Sequence, residues 1–142
     1  MNKDLQIAKK IVQTEIESLK KLLKSFNHSS QFSKAVNLIS KVKGKVVVIG
    51  TGKSFIIGNK ISSTLSSLGT PSVAFDSSSL NHGSMGSIQK GFDVLLIFSV
   101  SGETSELNSI LRFSNRNNIP VVGVSCKSSS MLLRFSSIPI LL

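Results

Sequence analysis

The chain has 142 residues, 40% hydrophobic and 17% charged, which excludes an intrinsically disordered segment and fits one globular domain over residues 1–142. No apolar run reaches the ~18 residues of a membrane span, and the lysine-punctuated N-terminus is not a signal peptide. The formal charge of +10 favours anionic partners, yet the chain has no Trp or Tyr for base stacking, so a phosphorylated metabolite is a better expectation than nucleic acid.

From Asp4 to Phe26 the apolar residues Ala8, Ile11, Val12, Ile16, Leu19, Leu22, Leu23 and Phe26 form a helical stripe with lysines and glutamates opposite. The polar stretch Asn27–Ser30, with His28, reads as a break. Phe32, Ala35, Val36 and Ile39 then mark a second, shorter amphipathic helix. The first helix is long for a chain of this size, so part of its stripe is expected to face another subunit.

After Lys45 the pattern changes. Val46–Ile49 is a β-branched run too continuous for a half-exposed strand and reads as a buried parallel strand. A turn at Gly50–Ser54 leads to a helix over Ser54–Leu68, stopped by Gly69-Thr70-Pro71. Ser72–Phe75 is a second strand, and Asp76–Gly91 reads mostly as loop, with room for one helical turn. Val94–Phe98 is a third strand, Glu103–Asn117 a helix, Val121–Val124 a fourth strand, Met131–Phe135 a helical turn, and Ile138–Leu142 the start of a fifth strand. Strands alternating with helices predict an α/β fold: a three-layer α/β/α sandwich on a five-stranded parallel sheet, with two helices in front. The lone cysteine, Cys126, excludes an internal disulfide; at the end of an apolar run it reads as a buried thiol. A reducing, cytoplasmic setting is expected.

Ligands of such sheets bind outside the carboxyl ends of the strands. Two loops there carry chemistry. Gly50-Thr51-Gly52-Lys53-Ser54 is not a Walker A loop, because Val47 stands where its first glycine belongs. Nor is it a dinucleotide fingerprint: Phe55 replaces the third glycine, and Asp76 alone is a weak substitute for the ribose-binding acid. What remains is a glycine turn feeding a helix N-terminus, with a lysine and a hydroxyl beside it. It suits an anion, or equally a plain tight turn capped by Ser54. The second loop, Ser99-Val100-Ser101-Gly102-Glu103-Thr104, sets three hydroxyls around a glycine and can wrap a phosphate. Capping of a helix by Ser101 would need only one of them. A third loop, Asn81-His82-Gly83-Ser84-Met85-Gly86, carries a histidine that a ligand could meet or that is merely solvated; His28 reads as solvated. Two histidines and one cysteine show no metal cluster.

Together these loops resemble the sugar isomerase (SIS) domain, and their order and spacing resemble the bacterial D-arabinose-5-phosphate isomerases of 3-deoxy-manno-octulosonate (Kdo) and lipopolysaccharide synthesis. The resemblance implies interconversion of D-ribulose 5-phosphate and D-arabinose 5-phosphate, without cofactor or metal, in a homo-oligomer. It implies that Ser99, Ser101 and Thr104 hold the phosphate with Ser54 nearby, on backbone shaped by Gly50, Gly52 and Gly102. Lys53, His82 and Glu103 match the family's active-site positions. Isomerisation moves a proton between adjacent carbons through an enediol. Glu103 could carry the proton, Lys53 stabilise the oxyanion, and His82 open the ring or shuttle the hydroxyl proton.

Two departures stand out. Ser84 replaces the aspartate of the family's His-Gly-Asp loop. Family members also continue past the fifth strand, with closing helices, a further active-site histidine and usually a pair of cystathionine-synthase-type (CBS) domains, none of it within these 142 residues. The expectation is therefore a domain cut short at its C-terminus, an isomerase weakened by that loss. Its rivals are a non-catalytic sugar-phosphate sensor, a degraded paralogue and a basic interaction module.

Overall fold

The computed structural model describes residues 2–26 and 30–142; the expected break at 27–29, with His28, lies outside the described residues. Five strands form one parallel sheet: β1 (Val46–Gly50), β2 (Ser72–Asp76), β3 (Val94–Phe98), β4 (Val121–Ser125) and β5 (Ile138–Leu141), in the spatial order β2-β1-β3-β4-β5. The helices are α1 (Lys3–Phe26), α2 (Ser30–Ser40), α3 (Lys53–Ser67), α4 (Ser77–Asn81), α5 (Leu107–Arg116) and α6 (Met131–Phe135), with a 3₁₀ turn at Ser84–Ser87.

Alternate residues of each central strand enter opposite cores. Val47, Ile49, Leu95, Ile97 and Val121 pack with Leu80 of α4, Leu107, Ile110 and Leu111 of α5, and Leu132 of α6. Val46, Val48, Val94, Leu96, Val122 and Val124 face the other way, toward Ala35, Leu38 and Ile39 of α2 and Ile61 and Leu65 of α3. All five β1 residues are buried, which explains why its sequence does not alternate. Truncating Leu95 or Ile97 to Ala would cost about 2–5 kcal/mol. Pro139, which has no N–H to donate, sits in β5, the edge strand beside β4.

The strand order decides where a ligand can sit. The β1–α3–β2 connection leaves β1 in one direction, and β3–α5–β4 leaves β3 in the other. Their helices lie on opposite faces, so a crevice opens between the carboxyl ends of β1 and β3. The Gly50–Ser54 and Ser99–Thr104 loops leave the sheet there.

Three expectations need correction. The fifth helix begins at Leu107 rather than Glu103, so residues 99–106 form a longer loop than the periodicity implied. The stretch 76–91 holds α4 and a 3₁₀ turn, because Asp76 caps α4 by accepting the Ser78 amide at 3.0 Å. Cys126 is exposed, since it lies just past the end of β4. The first helix, α1, buries none of its 24 residues in this chain. Among the described residues no helix is long and apolar enough to cross a membrane.

Candidate functional site

The first loop depends on two glycines. A Cβ on Gly50 would lie 2.6 Å from the Ser54 carbonyl carbon and 2.7 Å from the Phe55 nitrogen, so only glycine lets α3 fold back so close to β1. Gly52 then opens α3 at φ +55°, ψ −120°, backbone that favours glycine. Lys53 and Ser54 occupy the first turn of α3; Ser54 is not its cap. Thr51 Oγ1 lies 2.6 Å from Ser77 Oγ, which ties the turn to the start of α4. The Asp76 carboxyl is held below its usual range by the Ser78 hydroxyl, the Ser78 amide and the Gly52 amide. Asp76 thus serves as the cap of α4.

The second loop is folded on itself. Ser99 Oγ accepts the Gly102 amide at 3.0 Å and lies 3.2 Å from Thr104 Oγ1. Ser101 Oγ accepts the Glu103 amide at 3.3 Å, and the Thr104 carbonyl accepts the Leu107 amide at 3.0 Å. The Ser99 and Thr104 hydroxyls meet while Ser101 Oγ sits on the Glu103 amide, an arrangement that can trade its internal hydrogen bonds for those to an anion. The β4–α6 segment backs the loop. Val100 O accepts the Cys126 amide and Ser125 Oγ, both at 3.1 Å, and Gly102 O accepts the Leu132 amide at 3.0 Å.

A cleft of about 230 Å³ opens between the two loops, lined by Lys53, Ser54, Ile57, Phe98, Ser99, Val100, Val124, Ser125, Cys126 and Leu142. It joins three of the candidate residues: Lys53 and Ser54 from the first loop and Ser99 from the second. The remaining candidates do not line it. Ser101 is exposed and Thr104 half-buried on the second loop. His82 is exposed at the C-terminal end of α4. The preceding Asn81 anchors that end, donating to Glu106 O at 3.4 Å and accepting from Ser109 Oγ. Glu103 is turned toward α6: its Oε1 lies 3.3 Å from Lys127 Nζ and accepts the Met131 amide at 3.3 Å. No hydrogen bond joins Lys53, His82 and Glu103 to one another among the described residues.

The sequence reading missed Lys127 and Ser125. Both follow or end β4, a neighbour of β3, and the rule that ligands gather at the carboxyl ends of strands would have drawn attention to Ser125–Ser130. No group of three or more His, Cys, Asp or Glu side chains comes together among the described residues.

Comparisons with known proteins bear on this geometry. The family model of the SIS domain matches residues 38–142. Arabinose 5-phosphate isomerase KdsD of Francisella tularensis is 35% identical over 127 residues, covering 87% of this chain and 38% of that protein. The KdsD of Pseudomonas aeruginosa is 39% identical over 107 residues, covering 75% of this chain and 32% of its own length. The chain thus spans less than about two-fifths of these relatives. Among solved structures, an Escherichia coli CFT073 protein in complex with arabinose 5-phosphate superposes with a TM-score of 0.81 at 28% identity, over 99% of this chain and 74% of that one.

Proposed function

This chain belongs to the SIS domain family, and on that premise we propose that it binds a pentose 5-phosphate between the Gly50–Ser54 and Ser99–Thr104 loops. The observation that carries the reading is the meeting of the Ser99 and Thr104 hydroxyls just past the carboxyl end of β3, beside a cleft that Lys53, Ser54 and Ser99 line. In this reading Ser99, Ser101 and Thr104 grip the phosphate, and the sugar extends toward Lys53.

The reaction we assign is aldose–ketose isomerisation between D-ribulose 5-phosphate and D-arabinose 5-phosphate, within Kdo and lipopolysaccharide synthesis in the cytoplasm. The proton at the sugar carbon passes to a carboxylate and returns to the adjacent carbon. Glu103 is the carboxylate of the phosphate loop and is assigned that role. The Lys53 ammonium faces the oxyanion that develops as the enediol forms. His82 is assigned to ring opening or to proton transfer between hydroxyls. The similarity to arabinose 5-phosphate isomerases supports the substrate class, and the exposed apolar face of α1 supports a homo-oligomer as the working form.

A second reading, a sugar-phosphate sensor without catalysis, draws on the Glu103 carboxylate, which is engaged by Lys127 and the Met131 amide. Two experiments test the proposals. Calorimetry should detect arabinose 5-phosphate and not unphosphorylated arabinose, with Ser101→Ala weakening binding by about 1–2 kcal/mol. Equal affinity for both sugars, or none for either, would sink the phosphate site. Incubation with ribulose 5-phosphate and analysis of products then separates isomerase from sensor.

A further inference from the structure

Glu103 poses an electrostatic problem for the loop that contains it. The site is proposed to hold a phosphate dianion with hydroxyls and amides, yet a carboxylate sits within that loop, between Gly102 and Thr104. A carboxylate and a phosphate on one loop repel each other wherever they come within the Debye length, roughly 8 Å at physiological ionic strength. Lys53 enters from the β1 side; the flank nearest Glu103 belongs to the β4–α6 segment.

Lys127 stands on that flank. Its Nζ lies 3.3 Å from Glu103 Oε1, with the two side chains 53% and 41% exposed. Its backbone is not that of a free surface lysine. The Lys127 amide donates to Ser125 Oγ at 3.3 Å, and the same Ser125 Oγ donates to Val100 O at 3.1 Å. The Cys126 amide donates to Val100 O as well. The cation is therefore registered against the phosphate loop by bonds immediately before it in the chain. The Met131 amide meets the same Oε1, so the carboxylate is drawn toward α6.

We propose that Lys127 is a positioning residue of the sugar-phosphate site: its ammonium offsets the charge of the Glu103 carboxylate it meets, so that a phosphate can enter the Ser99–Thr104 loop. This rests on the reading of that loop as a phosphate site. The interaction matters for ligand affinity and not for folding, since an exposed pair of this kind contributes little to stability.

The test is calorimetric titration of the whole chain with arabinose 5-phosphate. Lys127→Met should weaken binding about fivefold at low salt, with an unchanged thermal midpoint, and the loss should shrink in 1 M NaCl (roughly a 3 Å Debye length). Lys127→Arg should bind within about twofold of the parent, because it keeps the charge. The double variant Lys127→Met, Glu103→Gln should also return to within about twofold, because the charge that needed offsetting is gone. Parental affinity in Lys127→Met overturns the proposal. So does a double variant as weak as Lys127→Met, which would mean direct contact between Lys127 and the phosphate. A parent protein with no affinity for arabinose 5-phosphate overturns the phosphate site itself, and this role with it.

Discussion

Gly102 packs directly onto Ser130: a Cβ on the glycine would lie 2.5 Å from the Ser130 Cβ and 2.6 Å from its Oγ. The two residues belong to different crossovers, one after β3 and one after β4, and their contact seats the serine loop on the start of α6. Gly102 also sits at φ +64°, so an alanine there meets both a clash and backbone strain. Gly102→Ala should lower stability by about 2–4 kcal/mol, with strain and overpacking adding together. It should abolish binding of arabinose 5-phosphate even below its lowered melting point. Denaturant unfolding and calorimetry check the two parts. Undiminished binding would show that the loop's backbone is not what grips the phosphate.

Glu103→Gln separates chemistry from binding. The amide keeps the shape of the side chain but cannot carry the proton. Turnover of ribulose 5-phosphate should fall about 10²–10⁴-fold. Binding of arabinose 5-phosphate should be no weaker than in the parent, since a negative charge leaves the loop. Retained turnover would mean that another group is the base.

The exposed face of α1 predicts self-association. Ile11, Val12, Leu19 and Leu23 are between 53% and 67% exposed, on a helix that buries nothing in its own chain. Such a stripe is expected to meet another copy. The parent should sediment as a dimer or tetramer at tens of micromolar, and Ile11→Glu with Leu19→Glu should sediment as a monomer. A monomeric parent counts against the helix as an interface.

Acid should destabilise the chain through Asp93. Its carboxylate is 2% exposed and accepts the Lys45 ammonium at 2.7 Å, the Lys45 amide at 2.9 Å and the Gln89 amide at 2.8 Å. Burial opposes ionisation, but the Gln89 amide and Lys45 together hold the carboxyl below its ordinary value. A depressed folded value means that its stabilisation is complete above the unfolded pKa of ~3.9 and is lost as pH falls through the folded value. Asp76, shifted the same way by Ser78 and Gly52, adds to the effect. Asp93→Asn should be less stable at pH 7 by about 1–3 kcal/mol and should lose less between pH 5 and pH 3. Urea unfolding at several pH values measures both. An equal acid loss in parent and variant would remove Asp93 from the account.

Much of the fold was legible in the chain itself. A strand covered on both faces must be apolar at every position, so Val46–Ile49, Val94–Phe98 and Val121–Val124 announced a parallel sheet. Ligands gather at the carboxyl ends of such strands, so the two glycine-containing loops could be picked out as candidates from the pattern alone. The glycines themselves were readable as backbone devices, though not the neighbours that make them necessary.

Tertiary structure decided what depends on residues far apart in sequence. Periodicity carried the fifth helix back to Glu103, yet Ser99 and Thr104 bond to each other and hold the loop open until Leu107. Helical propensity is a weak local preference, and a loop fastened at both ends overrides it. The apolar run around Cys126 suggested burial, but the chain leaves the sheet one residue earlier. The pairing of Glu103 with Lys127 spans 24 residues of sequence and follows only from β4 lying beside β3. The order of residues settles which groups the chain carries; strand order, set by the crossovers, determines which of them face one another.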